Sequence, residues 1–292
     1  MIVNLAHVLV PARKQGYTIG AFNIYNLETI SAVYRAASDL DCPVIFAFGE
    51  QYIEVANLKI IAAMVHELAG RTTIPMVLHL DHCKSIDIIY KAVQAGFSSV
   101  MFDGSRLPFP ENLAMIKKVV EFAHSVGVSV EAELGSVPFD HSQRGIPEEY
   151  LTRVDEAVRL VGEAGIDALA VAIGTVHGEY KGRPKIYHDR LQEIADAVPV
   201  PLVLHGGSGV PEEDILRAIR TGISKINVNT QISAVAVKRI KELCAAEKPG
   251  HLSALLHEAE EVMVDEVKGY IRLFMNGKSA VISQAIRNSH AR

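Results

Sequence analysis

Along the 292-residue chain, short continuous apolar runs alternate with longer stretches of helical periodicity. The apolar runs fall at 18–24, 43–48, 76–82, 98–103, 128–134, 167–173, 201–205 and 225–229, and each reads as a strand. No element is assigned before residue 18. The stretch 152–164 illustrates the helical pattern. There Val154, Ala157, Val158, Val161 and Ala164 form an apolar stripe with charged residues between them, and Thr152 is placed as the N-cap. From about 231 to 280 the chain reads as a helical extension, with an amphipathic stretch at 252–274. An appendage of this kind often packs against another subunit.

Strands that alternate with helices pair in parallel. Continuous apolar runs, rather than alternating ones, are expected where both faces of the sheet are covered. Eight such units predict an α/β fold, a single (β/α)8 TIM barrel over 1–292 with extra C-terminal helices. The rival is an open doubly wound sheet. It calls for a Gly-rich turn after the first strand, and Ala21-Phe22-Asn23-Ile24-Tyr25 has none.

Composition narrows the partners. The apolar fraction is 49% and charged residues make up 22%, a globular balance. A net charge of −5 gives no electrostatic case for nucleic acid or an anionic membrane. No run of about 18 apolar residues suggests a membrane span, and the N-terminus lacks a secretory pattern. Three scattered cysteines, Cys42, Cys83 and Cys244, fit a reducing compartment, so the expectation is a cytoplasmic protein.

Three of the runs stop on a histidine: Leu78-His79-Leu80-Asp81-His82, Gly174-Thr175-Val176-His177-Gly178 and Leu204-His205-Gly206-Gly207-Ser208-Gly209. In a barrel, strand C-termini converge at one mouth, where chemistry resides. His82, His177 and His205 are therefore candidate ligands of one catalytic metal with an open fourth position. Imidazole suits zinc, and also cobalt or iron. His79, His124 and His188 are assigned structural roles. Cys83 is set aside as a ligand because adjacent strand residues face opposite ways.

Asp81, beside a ligand, reads as a partner of that ligand, a general acid/base or a solvated cap. Asp103 and Glu133 end strands too, and either orient histidines or form a second cation position. Gly206-Gly207-Ser208-Gly209, ahead of a helix start, reads as an anion cradle or a plain tight turn. Asn23, Asn227, Asn229 and Thr230 lie at the same rim, and Lys181 is a surface lysine or a source of positive charge.

Together these segments resemble the class II, metal-dependent ketose-bisphosphate aldolases, which include fructose- and tagatose-bisphosphate aldolases. The likeness runs from Gly20-Ala21-Phe22-Asn23 to Gly277-Lys278-Ser279-Ala280. It includes Ser99-Val100-Met101-Phe102-Asp103-Gly104-Ser105, Val130-Glu131-Ala132-Glu133-Leu134-Gly135 and Lys225-Ile226-Asn227-Val228-Asn229-Thr230. The resemblance implies reversible cleavage of a phosphorylated ketose to dihydroxyacetone phosphate and an aldehyde through a zinc-stabilised enediolate. It implies that His82, His177 and His205 hold Zn2+, that Asp81 moves the hydroxyl proton and that Asn227 helps hold the enediolate. Gly178, Gly206, Gly207, Ser208, Asn229 and Thr230 would cradle the ketone-side phosphate. A monovalent cation (Na+ or K+) would sit on carbonyls of Val176, Gly178 and Gly206. Asp103 and Glu133 match positions near an alternate metal site. A homodimer or homotetramer is expected.

Three departures bear on the substrate. The family's Gly-Gly and acidic loop is replaced by Ser136 to Gly145, where His141 stands near the expected glutamate; either Asp140 or His141 takes over its role or the loop serves another purpose. The second strand ends Phe48-Gly49-Glu50-Gln51, with a carboxylate where a phosphate-binding serine is usual. An Asp-Pro-Arg is replaced by Lys248-Pro249-Gly250-His251. The ketone-side phosphate is therefore expected to be retained while the distal group differs, with Arg144 or Arg183 available to a different anion. Two other readings compete: a metal-dependent barrel epimerase or hydrolase, and a non-catalytic subunit, which would be expected to lose the ligands retained here.

Overall fold

The computed structural model describes residues 1–135, 137, 147–178, 180, 182–246 and 250–278. Eight parallel strands close into a barrel in chain order. They are β1 (Ile19–Asn23), β2 (Val44–Gly49), β3 (Met76–Cys83), β4 (Ser99–Phe102), β5 (Ser129–Leu134), β6 (Ala168–Val171), β7 (Leu202–Leu204) and β8 (Ile223–Val228). Each of the eight apolar runs is thus a strand, and β1 pairs with both β2 and β8, so the open-sheet alternative is excluded.

The outer layer holds α2 (Leu27–Leu40), α3 (Leu58–Ala69), α4 (Ile86–Ala95), α5 (Phe109–Ser125), α6 (Val154–Ala164), α7 (His188–Ala197) and α8 (Glu212–Thr221). Local chemistry starts several of them. Asn26 caps α2 in a reciprocal capping box with Thr29, and the Ser85 hydroxyl accepts from Ile88 N at α4. Thr152 does not cap α6. It is fully buried, its hydroxyl donates to Leu134 O, and Ala172 N donates to it at 2.8 Å. Satisfying buried backbone between β5 and β6 outweighs capping there.

A further helix, α1 (Leu5–Gln15), precedes the first strand and packs against β1, β5, β6 and β8. Arg13 reaches out from it to the carbonyls of Ala195, Val198 and Val200. At the other end of the chain follow α9 (Thr230–Ala245) and α10 (Leu252–Phe274). The apolar face of α10, including Met263, Val267, Ile271 and Phe274, is buried within this chain. Ion pairs of Arg35 with Glu260 and Lys268 with Asp39 fasten it to α2. That face therefore serves the barrel itself and does not argue for a second subunit.

The barrel interior departs from the usual branched aliphatic filling. Same-face residues two apart are polar on three strands: His79 and Asp81 on β3, Glu131 and Glu133 on β5, Lys225 and Asn227 on β8. His79, Glu131 and Lys225 lie together, with Lys225 Nζ 2.7 Å from Glu131 Oε2 and 3.5 Å from His79 Nε2. Asp81 and Asn227 meet nearer the C-terminal mouth, at 3.1 Å.

Candidate active site

β3 controls the site through one extra residue. Leu80 aligns with Val100 but Cys83 aligns with Phe102, so β3 carries a bulge at Asp81-His82. His82 takes a left-handed backbone, φ 51°. Regular alternation would send Asp81 and His82 to opposite faces. With the bulge, both border the same cavity. Cys83, next along, donates its thiol to Ser85 O and towards Glu50.

The three histidines converge. His205 Nδ1 lies 2.7 Å from His82 Nε2, and the His82 and His177 rings stand edge to face at 4.9 Å. One donor atom from each of the three falls within 4.8 Å of the others. Two imidazole nitrogens this close repel through their lone pairs unless a proton or a cation sits with them. Each inner nitrogen is also backed by a carboxylate on the far side of its ring. His82 Nδ1 faces Asp103 Oδ2 at 3.1 Å, and His205 Nε2 faces Glu131 Oε1 at 3.0 Å. Histidines that ligate metals are held in this way, so the residues present fit a divalent ion. A second grouping, His82 with Asp103 and Glu133, also offers converging donors. Glu133 Oε2 is buried without a hydrogen-bond partner, as a ligand-ready oxygen would be.

Electrostatics differ sharply across a few ångströms. Burial pushes the Asp81 carboxyl up, but the charges of His82 and Lys225 outweigh it and hold Asp81 ionised, below the usual carboxylate range. Glu133 is pushed up to about 8 by burial and by its neighbours Asp103 and Glu131, against the pull of His82. Burial lowers His177 to about 3. For His82, burial is overcome by Asp81 and Asp103, and the group rises to about 9.

Around this centre lies a cavity of about 570 Å3, bordered by Asn23, Asp81, His82, Asp103, Glu133, His177, Gly178, Gly206, Ser208, Asn227, Asn229 and Thr230. Asn23 and Asn227 both give their amides to Asp81, at 3.3 and 3.1 Å, so in this structure they steady the carboxylate. On the β7–β8 side, the Ser208 hydroxyl accepts from Asn229 N and Gln231 N at the start of α9. Gly206 has φ 68°, and a side chain there would meet Val176 O at 2.2 Å. Gly207 does not border the cavity. It donates to Asn227 O, and a Cβ would lie 2.4 Å from Ile226. Its smallness is needed for packing the turn onto β8.

Two tyrosines were not singled out in the sequence. The Tyr180 hydroxyl donates to Gly206 O at 3.0 Å and towards Val176 O at 3.4 Å, joining two of the carbonyls assigned to a monovalent cation. Tyr52 accepts from the Asn229 amide at 3.0 Å. The signal was present, in Tyr180 beside the His177-Gly178 segment, but an aromatic there reads equally as packing. Glu131 and Lys225 were also passed over. Of the other sequence candidates, Arg183 is committed to Glu213 and Asp214 on the exterior. His79, His124 and His188 hydrogen-bond to Ser99, Asp167 and Asp214. Lys181, Ser136, Asp140, His141, Arg144, Lys248 and Pro249 lie outside the described residues.

The class-II fructose-bisphosphate aldolase family model matches residues 3–278. The chain belongs to that family. It is 39% identical over 279 residues to the fructose-bisphosphate aldolase of Staphylococcus aureus strain Mu50, covering 94% of this chain and 97% of the relative. It is 37% identical over 271 residues to the sulfofructosephosphate aldolase of Alkalicoccus urumqiensis, covering 91% and 94% of the two chains. The crystal structure of the YdjI aldolase from Escherichia coli K12 superimposes with a TM-score of 0.86 at 34% identity, covering 96% of this chain and 99% of that one. Class II aldolases are metal-dependent aldehyde-lyases, and membership makes this chain an aldolase of a phosphorylated ketose. No helix among the described residues is long and apolar enough to cross a membrane.

Proposed function

We propose that this aldolase uses one zinc ion on His82, His177 and His205 to cleave a ketose phosphate reversibly into dihydroxyacetone phosphate and an aldehyde. The observation that carries this reading is the convergence of three imidazoles beside an ionised, buried Asp81 at the C-terminal mouth of the barrel. When bound, the metal supplies Lewis-acid polarisation of the ketose carbonyl and electrostatic stabilisation of the enediolate charge.

The chain's own residues supply the rest. Asp81 accepts the proton of the hydroxyl on the aldehyde-side carbon of the bond that breaks. The Asn23 and Asn227 amides hold its carboxylate in place for that transfer. Asn227 Oδ1, buried and without a partner, is available to the substrate's hydroxyl groups. Gly178, Gly206, Ser208, Asn229 and Thr230 hold the phosphate, with the N-terminus of the 16-residue α9 favouring negative charge there. A monovalent cation at Val176, Gly178 and Gly206 would share its carbonyls with the Tyr180 hydroxyl. Asp103 and Glu133 orient His82 or receive the metal at its alternate position. Lys181 is retained as a phosphate contact on sequence grounds alone.

Release of dihydroxyacetone phosphate from a panel of ketose mono- and bisphosphates, with and without chelator, tests the proposal. Chelator-sensitive release restored by zinc is the expected result. Stoichiometric metal with no release from any ketose would transfer the chain to a different metal-dependent reaction.

A further inference from the structure

Lys225 is the one lysine or arginine among the described residues that is fully buried. It enters the barrel interior from β8 and gives two hydrogen bonds to Glu131 on β5, at 2.7 Å to Oε2 and 3.0 Å to Oε1. Oε1 is also the atom that His205 Nε2 faces, at 3.0 Å. An ammonium and a candidate ligand imidazole therefore share one carboxylate oxygen. Because an ionised carboxylate only accepts, His205 Nε2 carries the hydrogen. Its Nδ1 then keeps a lone pair on the side of His82 Nε2, 2.7 Å away.

Orienting a ligand histidine does not by itself call for an ammonium. Asp103 backs His82 Nδ1 in the same manner at 3.1 Å, and its other partners are the amide and hydroxyl of Ser105, both neutral. Stability does not call for it either, since apolar residues of similar volume often replace a buried ion pair without loss. What the ammonium changes is the charge on the acceptor. A carboxylate that accepts from an imidazole N–H raises the basicity of the other ring nitrogen and makes it a stronger donor to a metal. An ammonium on the same oxygen draws down its negative charge and weakens that effect.

We propose that Lys225 is a positioning residue that acts through Glu131: it restrains the carboxylate's polarisation of His205, so that zinc held there is bound less tightly and keeps more of its Lewis acidity. This inference rests on the zinc-aldolase reading above and adds a residue to it. It separates affinity from activity, which a purely structural Lys225 would move together.

The test compares wild type with Lys225→Gln, which puts a neutral donor in the same place, and Lys225→Arg, which keeps the charge. Zinc affinity, read at fixed pH by competition with a chromophoric chelator, is expected to rise about 10-fold in Lys225→Gln. Solvent exchange of the methylene proton of dihydroxyacetone phosphate, measured without aldehyde at saturating zinc, is expected to fall about 10- to 100-fold. The His205 Nε2–H proton resonance should move downfield as its hydrogen bond to Glu131 strengthens. Lys225→Arg should return all three readouts towards wild type. Affinity that falls together with exchange, or an unmoved proton resonance, overturns the inference. Wild type supplies a measurement that needs no variant to fold. Among the described residues Asp103 Oδ2 accepts from His82 alone, whereas Glu131 Oε1 is shared. The His82 Nδ1–H proton is therefore expected downfield of the His205 Nε2–H proton in the zinc-loaded protein, and the reverse order overturns the inference as well. Affinity and proton shifts are read with zinc alone, so zinc binding without exchange in wild type defeats the aldolase reading by itself, whereas no zinc binding defeats both.

Discussion

The ammonium of Lys225 lies 2.7 Å from Oε2 of Glu131, and neither side chain is exposed to solvent. The other Glu131 oxygen faces His205 Nε2 at 3.0 Å. The pair thus joins the barrel interior to a proposed metal ligand. Desolvating two charges is costly, and removing one partner leaves the other buried and alone. Lys225→Met is expected to destabilise the fold by about 3–5 kcal/mol. The double variant Glu131→Gln/Lys225→Met should lose clearly less than the sum of the two single changes. Urea unfolding of wild type and the three variants measures this coupling, and strict additivity would sink it.

Glu131 has a second consequence. As the group that orients His205, its loss should weaken zinc binding about 10- to 100-fold even with all three histidines intact. Glu131→Gln keeps the shape and a hydrogen bond, so metal titration against a competing chelator is the appropriate readout. Wild-type affinity in a folded Glu131→Gln protein would show that His205 is positioned by other means.

Asp81 is expected to act in the chemical step. Asp81→Asn should lower kcat for cleavage about 10²- to 10⁴-fold while zinc still binds stoichiometrically. If the metal is lost along with activity, Asp81 serves the ligand set and the proton must move through another group.

Much of this was legible in sequence because the governing patterns are local. Most strands are largely apolar runs bounded by polar or glycine residues; His82 and His205 sit at the ends of such runs, and His177 follows in the loop after β6. Thr152 failed as a cap because a buried hydroxyl serves Leu134 and Ala172, which only the packed barrel brings near. The helix α1 was missed because Pro11 and a short mixed run obscure its period. Glu131 and Lys225 carry no signal singly. Their signal lies in the repetition two residues on, with Glu133 and Asn227, which marks one polar face inside a barrel. The bulge at His82 has no local signature at all, since it is the offset between β3 and β4 that defines it.

That bulge yields a reversal of an ordinary rule. Glycine usually destabilises a strand relative to alanine. At φ 51° the alanine Cβ is strained, whereas glycine is at ease. Metal-free His82→Gly is therefore expected to be more stable than His82→Ala by about 1 kcal/mol. Thermal unfolding in chelator compares them, and the usual order, alanine above glycine, would mean that the left-handed backbone relaxes once the imidazole is gone.

His79 sets part of the acid limit of the fold. Burial drives it down to about 3, with Lys225 adding to that effect while Glu131 and Asp81 oppose it. Its Nδ1 is held by the Ser99 hydroxyl at 2.8 Å. In the unfolded chain the same ring takes a proton near pH 6.5. Below that value the unfolded state binds a proton that the folded state does not, so the equilibrium moves towards unfolding as pH falls. The contribution is absent above about pH 7 and grows by about 1.4 kcal/mol per pH unit between 6.5 and the folded value near 3. His79→Gln removes that titration and keeps a polar partner for Ser99. At pH 7.5 the variant should be the less stable protein, because the imidazole fills its place between β3, β5 and β8. By pH 5 the gap should have narrowed by about 2 kcal/mol. Urea midpoints for both proteins across this range provide the measurement. A gap that stays constant with pH would mean that His79 binds its proton as readily in the folded barrel as in the unfolded chain, with Glu131 and Asp81 offsetting burial and Lys225.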